Sequence, residues 1–515
     1  MIDFRTLSHC VVAAFVFLMA TPIDVSAKEM SLVTGDQEIK IYGMSPDEFK
    51  SIGYHPEKKA DAGAITGAIV AALHQAGYVS AEGFVISDKE IFLNQGAITV
   101  VQIFGLTGKA KDAANRVARR LIGKRPNINE LDTVLADINA LSGVDATFAL
   151  EASKNKIMDP RGWTPEDNTS HYTLIVKAAE QAQQYGAISL DSTPRNLFER
   201  NRATMTQTVN SVFVGGDHIQ GSFTHIWGDA QPPQNEGSVT YFAPLMDNGL
   251  YAELYGSYSV SKNEVSPNVK RDFQGTTFTG TIGYPVHRAH DETLTIIAGL
   301  GYQGEDQQGQ PNAHVKAATS TLFYNHSDPE GNSVTSGVTI TSGHATSQST
   351  TRENGAFSHL RMGAGYIHSL RFIGDDTELR LEGFAQVTRD ALPSAQRFIL
   401  GGTDFLRGYP SGVYSGNNGA AGTVELGHKY FFENKYLTGM SVKAFWDFGF
   451  VSNKAVEATS RNRPKHKAIS SVGLAYSGDL AQGAGISGWL GVPLNKGNQG
   501  EDLGLAVYLK LTKGW

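Results

Sequence analysis

The 515-residue chain has one cysteine, Cys10, so it cannot form a disulfide within itself. It is also short of long apolar runs. Residues 10–20, CVVAAFVFLMA, are an apolar stretch of eleven. That is too short to cross a bilayer core of about 30 Å as a helix. Nothing later approaches the roughly 20 apolar residues such a helix needs, which excludes a helical membrane protein. Neither sign of charge dominates: 44 Lys and Arg against 51 Asp and Glu leave a net charge of −7, which argues against nucleic acid as a partner. The 15 histidines show no metal-ligand spacing, and His218 and His225 read as ordinary polar residues. No nucleophile elbow and no P-loop stand out. Residues 299–304, GLGYQG, fit the spacing of a dinucleotide-binding turn. They end an alternating strand with no helix after it, so the match fails its context. No enzyme activity, metal or cofactor is expected.

What the chain does have is glycine, 56 residues of it, and 10% aromatic residues, a composition that favours β architecture. Arg5, the apolar run and Val25-Ser26-Ala27 make a secretory signal peptide over residues 1–27, with the mature chain starting at Lys28. Cys10 lies inside that peptide and ahead of most of its apolar run, so no lipoprotein-type site is expected. An exported chain without spanning helices is either soluble outside the cytoplasm or a β-barrel.

Residues 28–105 read as a small α+β unit. Residues 38–42 alternate as a strand. Residues 64–76 form a helix with Ile65, Ile69, Ala72 and Leu73 at helical spacing, ended by Gly77. Residues 84–86 and 97–104 are strands, the second rich in β-branched side chains. A second unit covers residues 106–180. Its helix at 112–122 is followed by another in which Ile128, Leu131, Leu135 and Ile138 share one face, closed by Gly143. Strands at 147–152 and 172–178 flank a turn-rich insertion at 158–169. The order of elements, Gly77-Tyr78-Val79 with Gln95-Gly96-Ala97-Ile98, and Asn127-Ile128-Asn129-Glu130-Leu131 with Leu141-Ser142-Gly143-Val144, resembles POTRA domains, the periplasmic modules of outer-membrane assembly and secretion barrels. The resemblance implies capture of an unfolded cargo by strand addition, with Val100, Val101, Ile103, Leu174 and Val176 as candidate contacts. Two packing domains without a ligand are the alternative.

From about residue 183 the pattern changes to short alternating segments separated by Gly, Asn, Asp and Pro. In 377–388, Leu379, Leu381, Ala385 and Val387 oppose Glu378, Arg380, Glu382, Gln386 and Thr388. In 358–366, Leu360, Met362, Ala364 and Tyr366 oppose His359, Arg361, Gly363 and Gly365. Period 2 over about ten residues, with one face apolar and the other charged or small, is the pattern of a membrane barrel strand with a wet lumen behind it. About sixteen such segments fit between residues 181 and 515, roughly 20 residues for each strand and its connection. The final segment, 503–515, carries Leu503, Leu505, Val507, Leu509 and Leu511 on one face and ends on Trp515. It resembles the carboxy-terminal signal read by the barrel-insertion machinery, in which Leu509, Leu511 and Trp515 would take part. Lys513 and Trp515 depart from its usual residues.

Counting strands back from the end places Leu406-Arg407-Gly408-Tyr409 in the connection between strands eleven and twelve, and Phe445-Trp446-Asp447-Phe448-Gly449 on strand thirteen. Alternation sends Phe445, Asp447 and Gly449 into the lumen. An arginine folded into a barrel needs a counter-charge, and a carboxylate can grip it with two hydrogen bonds. The two motifs and their order resemble those of the two-partner secretion transporters (the TpsB family), whose long sixth loop turns inward. The resemblance implies POTRA domains followed by an outer-membrane antiparallel barrel, an Arg407–Asp447 pair at an inward gate around 402–415, and a secreted TpsA-like exoprotein as partner. Outer-membrane lipid and, during biogenesis, the assembly machinery are the other partners. The alternatives are an outer-membrane assembly or insertion factor of the same superfamily, and a plain porin or ligand-gated uptake barrel. The plug helix often found ahead of the first domain in that family is not expected, because residues 28–37 are only a short polar start.

Overall fold

The computed structural model of the chain describes residues 29–34, 37–54, 61–94, 96–152, 171–180, 182–192, 201–228, 233–266, 269–289, 291–307, 312–347, 354–374, 376–403, 405–433, 436–454, 463–495 and 504–515. The expected signal peptide and the insertion at 158–169 lie outside the described residues. The chain divides into two compact units: residues 1–100, 122–128 and 150–173 in one, the remainder in the other.

The first unit contains β1 (Glu29–Thr34), β2 (Gln37–Tyr42), α1 (Pro46–Ser51), α2 (Ala62–Gln75), β3 (Glu82–Ser87) and β4 (Glu90–Asn94), with the strands in the order β1-β2-β4-β3. α1 starts in a capping box: the Glu48 N–H donates to Ser45 Oγ and the Ser45 N–H donates to Glu48 Oε2. Ile65, Ile69 and Leu73 of α2 are buried with Ile39, Ile41, Ile91 and Leu93, which is the apolar face expected from their spacing. The polar start turns out to be a strand, β1, paired in antiparallel register with β2. The 84–86 segment turns out to be half of a hairpin, β3–β4.

β5 (Ala97–Phe104), α3 (Gly108–Ala118), α4 (Ile128–Asn139), β6 (Val144–Ala152) and β7 (His171–Glu180) follow. β5, counted with the first domain in the sequence, pairs outside that domain's sheet. It joins a three-stranded sheet in the order β5-β7-β6, because its long β-branched run finds its partner in β7. Gly143 takes the left-handed conformation expected of it, φ 79°. The candidate cargo contacts separate accordingly. Leu174 and Val176 sit on the central strand and are fully buried, Ile103 is buried, and Val100 on the edge strand is 44% exposed. A central strand has both its hydrogen-bonding edges occupied, so Leu174 and Val176 pack the core and cannot receive an added strand.

The sixteen expected barrel strands are present and closed. They are β8 (Gln184–Ser192), β9 (Asn201–Asn210), β10 (His218–Trp227), β11 (Gln234–Pro244), β12 (Tyr251–Ser266), β13 (Val269–Arg288), β14 (Glu292–Gln307), β15 (Ala313–Ser327), β16 (Ser333–Ser347), β17 (Gly355–Ser369), β18 (Thr377–Val387), β21 (Asn418–Phe431), β22 (Leu437–Ser452), β23 (His466–Leu480), β24 (Ala484–Pro493) and β25 (Ala506–Gly514). A two-stranded hairpin, β19 (Phe398–Leu400) with β20 (Tyr414–Gly416), lies between β18 and β21. All neighbouring barrel pairs are antiparallel, and β25 closes on β8 with Leu511 opposite Leu190. Leu511 and Trp515 point outward and exposed, level with Leu509 in the alternation. Trp515 exchanges backbone hydrogen bonds with Gly186, and its indole N–H donates to Gln207 at 3.2 Å. The terminal aromatic therefore extends the closing seam. Lys513, on the same outward face, reaches back to the Gln482 carbonyl, which gives its ammonium a partner at the rim.

Within the second unit, α3 and α4 are bound to the turns on one rim of the barrel. Asp137 of α4, 5% exposed, accepts from Arg120 and from Arg288 at the end of β13, each at 2.5 Å. Arg120 also donates to the Asp247 carbonyl, Lys109 to the Val212 carbonyl, and Ser142 Oγ lies 2.7 Å from His218 Nδ1. Strand alternation puts this rim opposite the one from which the β18–β21 connection descends. Removing one member of a buried ion cluster leaves the others unpaired, at about 3–5 kcal/mol. Asp137→Ala is therefore expected to make the α3–α4 region several-fold more sensitive to limited proteolysis, while the barrel keeps its heat-modifiable gel mobility.

Candidate functional site: a loop tip seated in the lumen

Strand β22 shows the alternation that builds the site. Trp446, Phe448 and Phe450 are exposed on the outer face, while Phe445, Asp447 and Gly449 are buried on the inner one. The β18–β21 connection folds inward and lays residues 405–410 against this inner face. Leu406 and Tyr409 are fully buried and Arg407 is 7% exposed. The expected pair is formed and is bidentate. Arg407 Nε donates to Asp447 Oδ2 at 3.0 Å, and an η-nitrogen donates to Oδ1 at 2.7 Å. The Arg407 backbone N–H donates to the same carboxylate at 2.9 Å.

Three further residues complete the socket, and the sequence reading missed all of them. Glu425 Oε1 accepts from the other η-nitrogen at 2.6 Å. Thr423 Oγ1 accepts from Arg407 at 2.9 Å and donates to Asp447 at 2.7 Å. Ser471 Oγ accepts the Gly408 N–H at 3.3 Å. The Phe445 ring covers the guanidinium face, 3.6 Å from Cζ to the ring centroid, a cation–π contact in a nearly dry site. Two carboxylates on one arginine would leave excess negative charge. Lys443 Nζ offsets it, 3.7 Å from Glu425 and 3.0 Å from Glu378, and Lys429 reaches Glu378 at 2.8 Å. Along the wall the signs run Lys429, Glu378, Lys443, Glu425, Arg407, Asp447, three of each. The register explains the grouping, because Thr423 lies opposite Asp447, Glu425 opposite Phe445, and Asp447 opposite Ser471.

The loop approaches so closely because the wall beneath it carries glycine. A Cβ on Gly449 would meet Leu406 Cδ1 at 2.7 Å, and one on Gly491 would meet the Gly408 nitrogen at 3.0 Å. A Cβ on Gly473 would strike the Phe445 ring at 2.4 Å. Gly408 itself faces the Pro493 nitrogen, 2.8 Å from where its Cβ would be. Gly473 and Gly491 are site residues that only the cross-strand register reveals. Leu406 holds φ at 66°, a left-handed conformation that costs a branched residue about 1–2 kcal/mol. It is tolerated because Leu406 packs with Phe398, Leu400, Tyr409, Tyr414, Val451 and Ile469. Tyr409 fixes the far side of the tip. Its hydroxyl accepts the Asn495 N–H at 3.0 Å and lies 3.1 Å from the Ser470 carbonyl.

A closed sixteen-strand barrel with an apolar outer face and a charged loop locked inside it is an outer-membrane transport protein. Residues 172–476 match the family model described as haemolysin secretion/activation protein ShlB/FhaC/HecB, and the chain belongs to that family, the transporters of two-partner secretion. No curated protein sequence matches the chain. Among solved structures, CdiB from Escherichia coli superposes with a TM-score of 0.75 at 14% identity, covering 99% of this chain and 98% of that one. CdiB from Acinetobacter baumannii gives 0.70 at 14% identity, over 99% and 97%. BamA from Haemophilus ducreyi lacking POTRA domains 1–3 gives 0.53 at 14%, over 94% and 100%. These are likenesses of fold. The family match is what decides for the secretion transporter over the assembly factor.

Two outcomes follow from the socket. Gly491→Val is expected to expel the tip without unfolding the barrel, raising ion conductance several-fold in planar bilayers. Arg407→Lys should behave like Arg407→Ala in the same measurement, because an ammonium cannot span Asp447 and Glu425 in the forked geometry.

Proposed function

We propose that the two small amino-terminal domains are POTRA domains that lie in the periplasm and take up an unfolded exoprotein. The barrel then passes that exoprotein to the cell surface, and the Arg407 loop is the gate. The burial of Arg407 against Asp447 inside the lumen carries this reading. A loop that merely decorated the outside would have no use for a desolvated charge. The attachment of α3 and α4 to the rim opposite the loop supports a periplasmic position for the second domain, since the loop descends from the other side. Edge strand β5, with Val100 open to solvent, is the place where an extended segment could add by backbone hydrogen bonding. The driving force for export would be folding of the cargo outside. Outer-membrane lipid and the assembly machinery, which would read Leu509, Leu511 and Trp515, are the remaining partners.

The test is secretion of a candidate large exoprotein from cells with the wild-type protein, with Arg407→Ala, or with none. Barrel levels are followed by heat-modifiable mobility. Loss of export without the protein, and a fall of at least about tenfold for Arg407→Ala at normal barrel level, is the expected result. Unchanged export from cells lacking the protein, together with loss of several unrelated outer-membrane barrels, would instead identify an insertion factor.

A further inference from the structure

The socket around Arg407 accounts for only one end of the inward loop. The limb that leaves β18, residues 388–397, is held separately, by the arc of wall on the other side of the loop's base. Leu392 is fully buried against Val315 of β15, Ala345 of β16 and Phe357 of β17. Gly343 makes room for that ring, since a Cβ there would lie 2.5 Å from Phe357 Cζ. One turn later, Gln396 is gripped from three strands. Its carbonyl accepts from Arg361 and from Gln386, each at 3.1 Å. Its side chain lies 3.1 Å from His359 Nε2 and donates to Gln303 Oε1 of β14 at 3.2 Å. Arg361 also donates from Nε to Gln386 at 2.7 Å, so the strand residues brace one another as well as the loop. Asn417 ties the limb to the loop's return, because its Oδ1 accepts the Leu392 N–H at 3.2 Å and its carbonyl accepts from Gln386 at 2.9 Å.

The tip socket uses β21, β22 and β23, with β24 supplying Gly491. The limb contacts use β14 to β18. The loop is thus fastened at two separate places, to two adjoining arcs of the barrel wall. Gln396 and Arg361 also line a lumenal cavity of about 530 Å³, with Thr319, Thr321, Thr339 and Thr341 on the facing strands. We propose that Leu392 and Gln396 form a second latch. It is independent of Arg407 and bars the threonine-lined cavity, so that passage of an extended polypeptide requires both latches to release. This deepens the gate reading and rests on it.

The test uses the full-length protein with Thr339→Cys as a reporter on the cavity wall. Labelling by a fluorescein maleimide is compared in otherwise wild-type, Gln396→Ala, Leu392→Ala and Arg407→Ala backgrounds. Both limb substitutions are on the loop and leave every barrel strand intact, and heat-modifiable mobility confirms folding of each. The expected result is labelling at least about fivefold faster in Gln396→Ala and Leu392→Ala, and a markedly smaller increase in Arg407→Ala. Unchanged labelling in the two limb variants would overturn the second latch. So would an increase in Arg407→Ala as large as theirs, since the limb would then simply follow the tip. The measurement needs no cargo. A protein that shows the expected labelling and yet exports nothing would count against the transporter reading while leaving the latch standing.

Discussion

A guanidinium held away from water must be matched atom for atom, and the inner wall of this barrel is organised by that demand. Arg407 presents its donors in a fixed plane. Two carboxylates, a hydroxyl and an aromatic face receive them. The second carboxylate calls for Lys443, which calls for Glu378, which Lys429 then completes. Each added charge is the cheapest answer to the one before it, because an unpaired ion here would cost several kcal/mol. A polar ladder of this kind binds only in one register, so it also specifies where the loop tip must sit.

Glycine does the complementary work. The tip can reach Asp447 only because Gly449, Gly473 and Gly491 leave the strands bare where Leu406, Phe445 and Gly408 press against them. The strain at Leu406, in the left-handed region, persists because aromatic and aliphatic packing around it overdetermines the conformation. The loop is thus tightly seated and strained at its apex in one observed position. Its other limb is held separately, through Leu392 and Gln396, by the neighbouring strands β14 to β18.

Much of this was legible beforehand. Period-2 alternation gave both the strand type and a count of sixteen that the closed sheet bears out. It also put Asp447 inside and Trp446 outside before any strand was paired. The pairing of Arg407 with Asp447 came from the resemblance of the two motifs and their order to those of the two-partner secretion transporters. Glu425, Thr423, Ser471 and the two distant glycines were not legible, although each sits on the inner face of its own alternating strand. Alternation says which face a residue takes and nothing about which residue lies beside it on the next strand. The small domains show the same limit. β5 reads as a strand from its own residues, but its sheet partner is 70 or more positions away, and without it Leu174 and Val176 look like an edge when they are a core.

The sequence by itself determined the alternating barrel strands, the main helices of the small domains and which face of β22 turns to the lumen, because these depend on local period and on the mismatch between a charge and lipid. Only the tertiary structure decided the register. Closing sixteen strands into a ring sets the stagger between all neighbours at once, and a slip of one residue on any strand would turn its faces around. The neighbours of Arg407, the glycine seat and the second hold on the loop all follow from that single global condition.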